Sequence, residues 1–170
     1  HLSIRRQRQM CIRDRVERGV RLIDLSTMMP RYQPYGRGLM AEHEEGPEAE
    51  INPYKGTFDL LKATKEIKDA VPGGIFVCTG LTWLEQFGGN VAAGGIRDGW
   101  FDLGGFGRQG FAYPDFAKDL LQDKTMYRNK CCVLCDKCYD LIQIGHCQTG
   151  CVMRDQEVYL PLYKKNVLKK

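Results

Sequence analysis

The chain has 170 residues, of which 43% are hydrophobic and 27% charged, and a formal net charge of +4. That length suits one domain with a sizeable core. The lack of an apolar run near about 18 residues or of a signal-type leader argues against a membrane span and makes the cytoplasm the expected compartment. The positive excess lies in residues 1–15, where Arg5, Arg6, Arg8, Arg13 and Arg15 face only Asp14. It therefore gives no ground for a nucleic-acid partner.

Residues 1–15, HLSIRRQRQMCIRDR, show no helical or strand periodicity for a core and resemble translated adaptor read-through at the end of an assembled environmental sequence. They are set aside from fold reasoning as a tag would be, a genuine basic arm being the alternative. Residues 20–26 alternate apolar and polar side chains between Gly19 and a Met-Pro turn and predict a strand. Residues 28–56 hold Pro30, Pro34, Pro47 and Pro53 with an acidic stretch over 42–50, which predicts a long loop. His43 in that loop reads as solvated.

Over 58–71, Leu60, Leu61, Ala63, Ile67, Ala70 and Val71 recur at near-helical spacing, and Pro72-Gly73-Gly74 ends the helix. Ile75-Phe76-Val77-Cys78 predicts a strand buried on both faces and ending in Thr79-Gly80. A second helix is expected over 83–99, weakened by Gly88, Gly89, Gly94 and Gly95. Phe101-Asp102-Leu103 leads as a third strand into Gly104-Gly105-Phe106-Gly107-Arg108, and 114–122 predicts a last helix with Pro114 in its first turn. Trp83 and Trp100 read as core aromatics.

Strands alternating with helices argue for an α/β fold with parallel pairing, either a doubly wound sheet or a β/α barrel. Chemistry then belongs at the C-terminal strand ends, Ser26-Thr27, Thr79-Gly80 and Gly107-Arg108. Backbone N–H groups at such ends with an arginine form a recurrent phosphate site.

Six of the eight cysteines fall between positions 131 and 151. That clustering suits metal-bound thiolates better than a secreted disulfide framework. Cys132, Cys135, Cys138 and Cys151 are spaced C-x2-C-x2-C-x12-C, a pattern that fits an iron–sulfur cluster, with a four-cysteine zinc site as the alternative. Cys131 and Cys147 are spare thiols suited to packing, and His146 beside them reads as solvated or structural.

Cys78-Thr79-Gly80-Leu81-Thr82-Trp83-Leu84, Asn90-Val91-Ala92-Ala93-Gly94 and Gly105-Phe106-Gly107-Arg108-Gln109-Gly110-Phe111-Ala112-Tyr113-Pro114-Asp115-Phe116-Ala117 together resemble the C-terminal part of the old yellow enzyme family. These are FMN-dependent NAD(P)H:flavin oxidoreductases on a TIM-type β/α barrel. The cysteine pattern is similar to the iron–sulfur branch that includes 2,4-dienoyl-CoA reductase and trimethylamine dehydrogenase. The resemblance implies about three βα units of the barrel over 16–125, followed by a Cys-rich irregular segment over 126–170.

It further implies that Gly80, Leu81, Gly107 and Arg108 hold the FMN phosphate and that Cys132, Cys135, Cys138 and Cys151 ligate a [4Fe-4S] cluster. NAD(P)H would be the reductant, a small enone or enoyl molecule the substrate, and a homo-oligomer a compatible assembly. No catalytic residue is assigned, since a barrel takes about 250 residues and its early strands carry the chemistry. A chain of three βα units is accordingly expected to bind FMN poorly and to be inactive alone. Tyr32 or Tyr35 would line the flavin or substrate pocket without acting as proton donor. Met28-Met29-Pro30 and Gly104 depart from the family pattern, the latter standing where a β-branched residue is usual. An FMN enzyme without a cluster and a zinc-stabilised interaction module remain the other expectations.

Overall fold

The computed structural model describes residues 2–26 and 53–169. Three short strands, β1 (Leu22–Leu25), β2 (Ile75–Thr79) and β3 (Leu103–Gly105), pair in parallel in the order β1-β2-β3. The register sets Leu22 beside Ile75, Leu25 beside Cys78 and Thr79 beside Gly105. The fold is thus mixed α/β with a parallel sheet, as the alternation predicts. Of the long loop expected over 28–56, residues 28–52, with Tyr32, Tyr35, His43 and Met28-Met29-Pro30, lie outside the described residues, whereas 53–56 are helical instead of loop.

Burial corrects one expectation about β2. Phe76 and Cys78 are fully covered, whereas Ile75 on the opposite face is 44% exposed. One face of the sheet packs into a core with Leu60 and Phe101, flanked by Leu61 and Trp100. The other presents Leu22, Ile75 and Leu103, all exposed. Trp83 and Trp100 are half-buried, Trp100 packing against that core.

Helix α1 (Leu2–Glu17) occupies the segment set aside from the sequence. Arg, Gln, Leu and Met favour helix without an apolar stripe, and no Gly or Pro interrupts them. Residues 10–17 of this helix bury nothing fully, although Arg13 Nη2 donates to Ala70 O at 2.9 Å. Helix α2 (Pro53–Ala70) begins earlier than the spacing predicts, with proline in its first position, where no intrahelical N–H is needed. Its covered face includes Thr57, Leu60 and Thr64. A threonine can sit there because Thr64 Oγ1 donates to Leu60 O at 2.9 Å and to Cys78 Sγ at 3.6 Å. Lys68 Nζ donates to Asp102 at 2.7 Å and Phe76 N–H to the same carboxylate at 2.8 Å, tying α2, β2 and the approach to β3 together.

The helix expected over 83–99 is two pieces, a 3₁₀ turn (Leu81–Phe87) and α3 (Gly88–Arg97), broken at Glu85 with φ 47°. The break follows from close packing: a Cβ on Gly88 would stand 2.7 Å from both Leu81 O and the Phe106 ring. Gly104 has a similar cause. A Cβ there would meet Ala92 Cβ at 2.8 Å and Leu81 Cδ1 at 3.1 Å, so α3 lies too close to β3 for the β-branched residue the resemblance expects.

Beyond β3 come α4 (Gly107–Ala112) and α5 (Phe116–Asp123), the latter preceded by Pro114 and Asp115 in its leading turn and closed by Lys124 at φ 59°. The tail is not irregular throughout, as expected, but contains α6 (Lys137–Gln143) and α7 (Gln156–Asn166). Leu141 and Val152 give it a small buried centre. Asp155 caps α7 by accepting from Val158 N–H. Among the described residues, no helix is long and apolar enough to cross a membrane.

Candidate anion and thiol site

The pairing of Thr79 with Gly105 sets the Gly80-Leu81 turn beside the Phe106-Gly107-Arg108 turn. Gly80 has φ 122°, a conformation that glycine adopts without penalty. Leu81 points its side chain into the core and is 0% exposed, so only its backbone can face a ligand. Gly105 lies under Thr79, whose Oγ1 would be 2.5 Å from an added Cβ. Gly107 has open space where its Cβ would be, room in which an anion could approach the main chain.

Arg108 is already engaged: Nη1 donates to Asp136 Oδ1, and the two side chains are 18% and 12% exposed. Asp136 lies in the cysteine loop, between Cys135 and Cys138. Gln109, the next residue of α4, is fully buried, and its Oε1 accepts from Cys132 N–H at 3.0 Å. Two consecutive residues after the glycine turn therefore fasten that turn to the thiols. The sequence reading missed both Gln109 and Asp136; a glutamine just past the Gly-Phe-Gly-Arg run and an aspartate set between two cysteines were the available signals.

The four predicted ligands share one neighbourhood. Cys132 is buried and Cys135, Cys138 and Cys151 are half-buried. Burial pushes the Cys132 thiol up, the Leu134 N–H and the Arg108 guanidinium draw it down, and Cys151 and Cys135 raise it again. Burial also pushes Cys138 up to about 11, with Cys132 adding to the rise and Arg108 opposing it. Leu134 N–H donates to Cys132 Sγ at 3.4 Å, a contact that favours thiolate. Cys132 and Cys138 thus have the Arg108 guanidinium as a common cation. Among the described residues, however, no group of three His, Cys, Asp or Glu side chains is placed to hold a metal ion.

The spare cysteines have other engagements. Cys131 Sγ donates to Tyr127 O at 3.4 Å, and its carbonyl accepts from Arg154 Nε and Nη2 at 3.1 and 2.8 Å. Burial raises the Cys131 thiol. Cys147 Sγ donates to Leu141 O at 3.5 Å and accepts from Asn166 Nδ2 at 3.8 Å. His146 is exposed and takes φ 47°.

The loop around Cys135 turns through two left-handed residues, Leu134 at φ 56° and Asp136 at φ 54°. Aspartate tolerates that region, whereas leucine does so at a cost of about 1–2 kcal/mol. As chemistry, the site offers four sulfur donors, an N–H donor to one of them, a guanidinium beside them and an open glycine backbone. Such donors suit a thiolate-ligated centre of net negative charge and a neighbouring oxyanion. No protein-family model, curated protein or solved structure matches this chain.

Proposed function

We propose that the chain belongs to an FMN-dependent NAD(P)H oxidoreductase of the old yellow enzyme type, with a [4Fe-4S] cluster and a C-terminal portion of a β/α barrel as its scaffold. The observation that carries this reading is the double fastening of α4 to the cysteine loop, Arg108 to Asp136 and Gln109 to Cys132 N–H. Electrons would pass between the cluster and the flavin ring, so the cysteine loop has to lie close to the flavin site, and the tie between α4 and that loop supports this reading. The parallel order of the strands, with both glycine turns at successive C-terminal ends, supports the same reading.

When bound, FMN and the cluster would supply hydride and single-electron chemistry for reducing an electron-poor C=C bond. The chain's own residues would bind and position. Arg108 would pair with the FMN phosphate, while the Gly80-Leu81 and Gly107 backbone would admit it closely. Cys132, Cys135, Cys138 and Cys151 would ligate the cluster, with Leu134 N–H donating to the Cys132 sulfur.

The test is anaerobic reconstitution of the chain with ferrous iron and sulfide, followed by iron and sulfide analysis and visible absorption. Four irons and four sulfides per chain are expected, since the proposed cluster contains about four of each. Loss is expected in each of Cys132→Ser, Cys135→Ser, Cys138→Ser and Cys151→Ser, with retention in Cys147→Ser. Colourless protein holding one zinc would establish the zinc module instead.

A further inference from the structure

Arg108 and Asp136 join two places that lie 28 residues apart in sequence. Both side chains are largely covered, so packing holds this pair in a way that surface pairs are not held. Asp136 is also the hinge into α6: its main-chain oxygen accepts from Tyr139 N–H at 2.8 Å and Asp140 N–H at 3.1 Å. Any displacement of Asp136 therefore moves the first turn of α6, where Cys138 stands, and the left-handed turn that presents Cys135. The neighbouring Gln109 contact is a neutral hydrogen bond between two buried residues, Gln109 and Cys132, and carries no charge for an arriving anion to compete with. The Arg108 contact is a carboxylate on a guanidinium, and another oxyanion can take its place.

We propose that Asp136 is an internal counter-anion for Arg108, so that a phosphate group arriving at Arg108 competes with Asp136 and shifts Cys135 and Cys138 as it does so. This rests on the reading of Arg108 as an anion ligand. Occupation of the anion site and the geometry of the thiols are then linked, and the linkage is reciprocal: whatever fixes the cysteine loop alters the affinity for phosphate by the same factor. Asp136 is a positioning residue in this scheme, acting on the cysteines through the backbone.

The experiment uses the full chain free of metal, inorganic phosphate as the probe, and wild type beside Asp136→Asn and Asp136→Glu. Asparagine keeps the left-handed turn accessible while removing the charge, and glutamate restores the charge. Phosphate affinity is measured by calorimetry, and alkylation rates of individual cysteines by mass spectrometry. In wild type, phosphate should change the rates at Cys135 and Cys138 by about fivefold, the low end of ordinary coupling. The exposed Cys11 on α1 should not respond.

Asp136→Asn should bind phosphate about tenfold more tightly, the factor that corresponds to about 1.4 kcal/mol, and its alkylation rates should no longer respond to phosphate. Asp136→Glu should restore the response. Phosphate binding without any change at Cys135 and Cys138, or with equal affinity in wild type and Asp136→Asn, would overturn the counter-anion and leave the anion site standing. Absence of phosphate binding in wild type and Asp136→Asn alike would overturn both.

Discussion

Placing a β-branched valine at Gly104 sets strand propensity against packing, and the packing of α3 makes it a destabilising change. The added Cβ alone, before its two methyls, would stand 2.8 Å from Ala92 Cβ and 3.1 Å from Leu81 Cδ1. Carbon atoms settle at about 3.5–4.0 Å, so α3 would have to retreat by about 0.7–1.2 Å. Ala92 is 7% exposed and its Cβ is fixed to the helix backbone, which leaves no rotamer to absorb the shift. Overpacking of this kind costs about 1–3 kcal/mol, against a gain of up to about 1 kcal/mol from strand propensity. Taking the middle of the overpacking range, about 2 kcal/mol, the net loss is about 1–2 kcal/mol, which lowers Tm by about 2–8 °C in a chain of this size. Thermal denaturation of wild type, Gly104→Val, Ala92→Gly and the double variant measures it. The double variant should recover part of the loss, with a coupling of at least about 0.5 kcal/mol between the two positions. Gly104→Val as stable as wild type, or strictly additive losses, would refute the argument.

Other outcomes follow from the same contacts. Asp102→Ala removes the acceptor of Phe76 N–H and the partner of Lys68, and should cost about 1–3 kcal/mol in urea denaturation. Burial raises the Asp102 carboxyl, yet the Lys68 ammonium and the Phe76 N–H together hold it below its ordinary value. Its contribution should therefore be present at neutral pH and fade as pH falls through that lowered value, a decline that Asp102→Asn should lack. For the metal-free chain, Cys138 is pushed up from 9.0 to about 11, so an unfolded chain gives up the proton first. The associated stability should be intact below pH 9 and lost as pH rises through about 11; a urea midpoint that holds or climbs over that window would contradict it. An added Cβ at Gly150 would run into the Tyr159 ring, so Gly150→Ala should displace the adjoining Cys151 and reduce iron uptake more than it changes the far-ultraviolet spectrum.

How much of this was legible depended on whether a pattern was local. The continuous run at 75–78 and the spacing of Leu60 and Val71 gave β2 and α2, because strand and helix periods are written directly in neighbouring residues. Helix α1 was not foreseen, since a helix without an apolar stripe leaves no periodic trace. Helix α4 was hidden by its glycines, which read as a turn, and α6 and α7 by a tail whose cysteine spacing drew the reading toward irregular structure. The glycine turns and Arg108 are candidate site residues in the sequence, and their adjacency follows from the pairing of Thr79 with Gly105. That Arg108 is engaged by Asp136 could not be read, because a contact across 28 residues depends on how α4 meets the cysteine loop.

The forked contact from Arg154 to the Cys131 carbonyl joins residues 23 positions apart, and the span between them contains every proposed cluster ligand. In amide exchange, residues 131–155 should therefore open and close as one cooperative segment, separately from the strands. Exchange of bound metal would then be timed by that local opening rather than by unfolding of the whole chain.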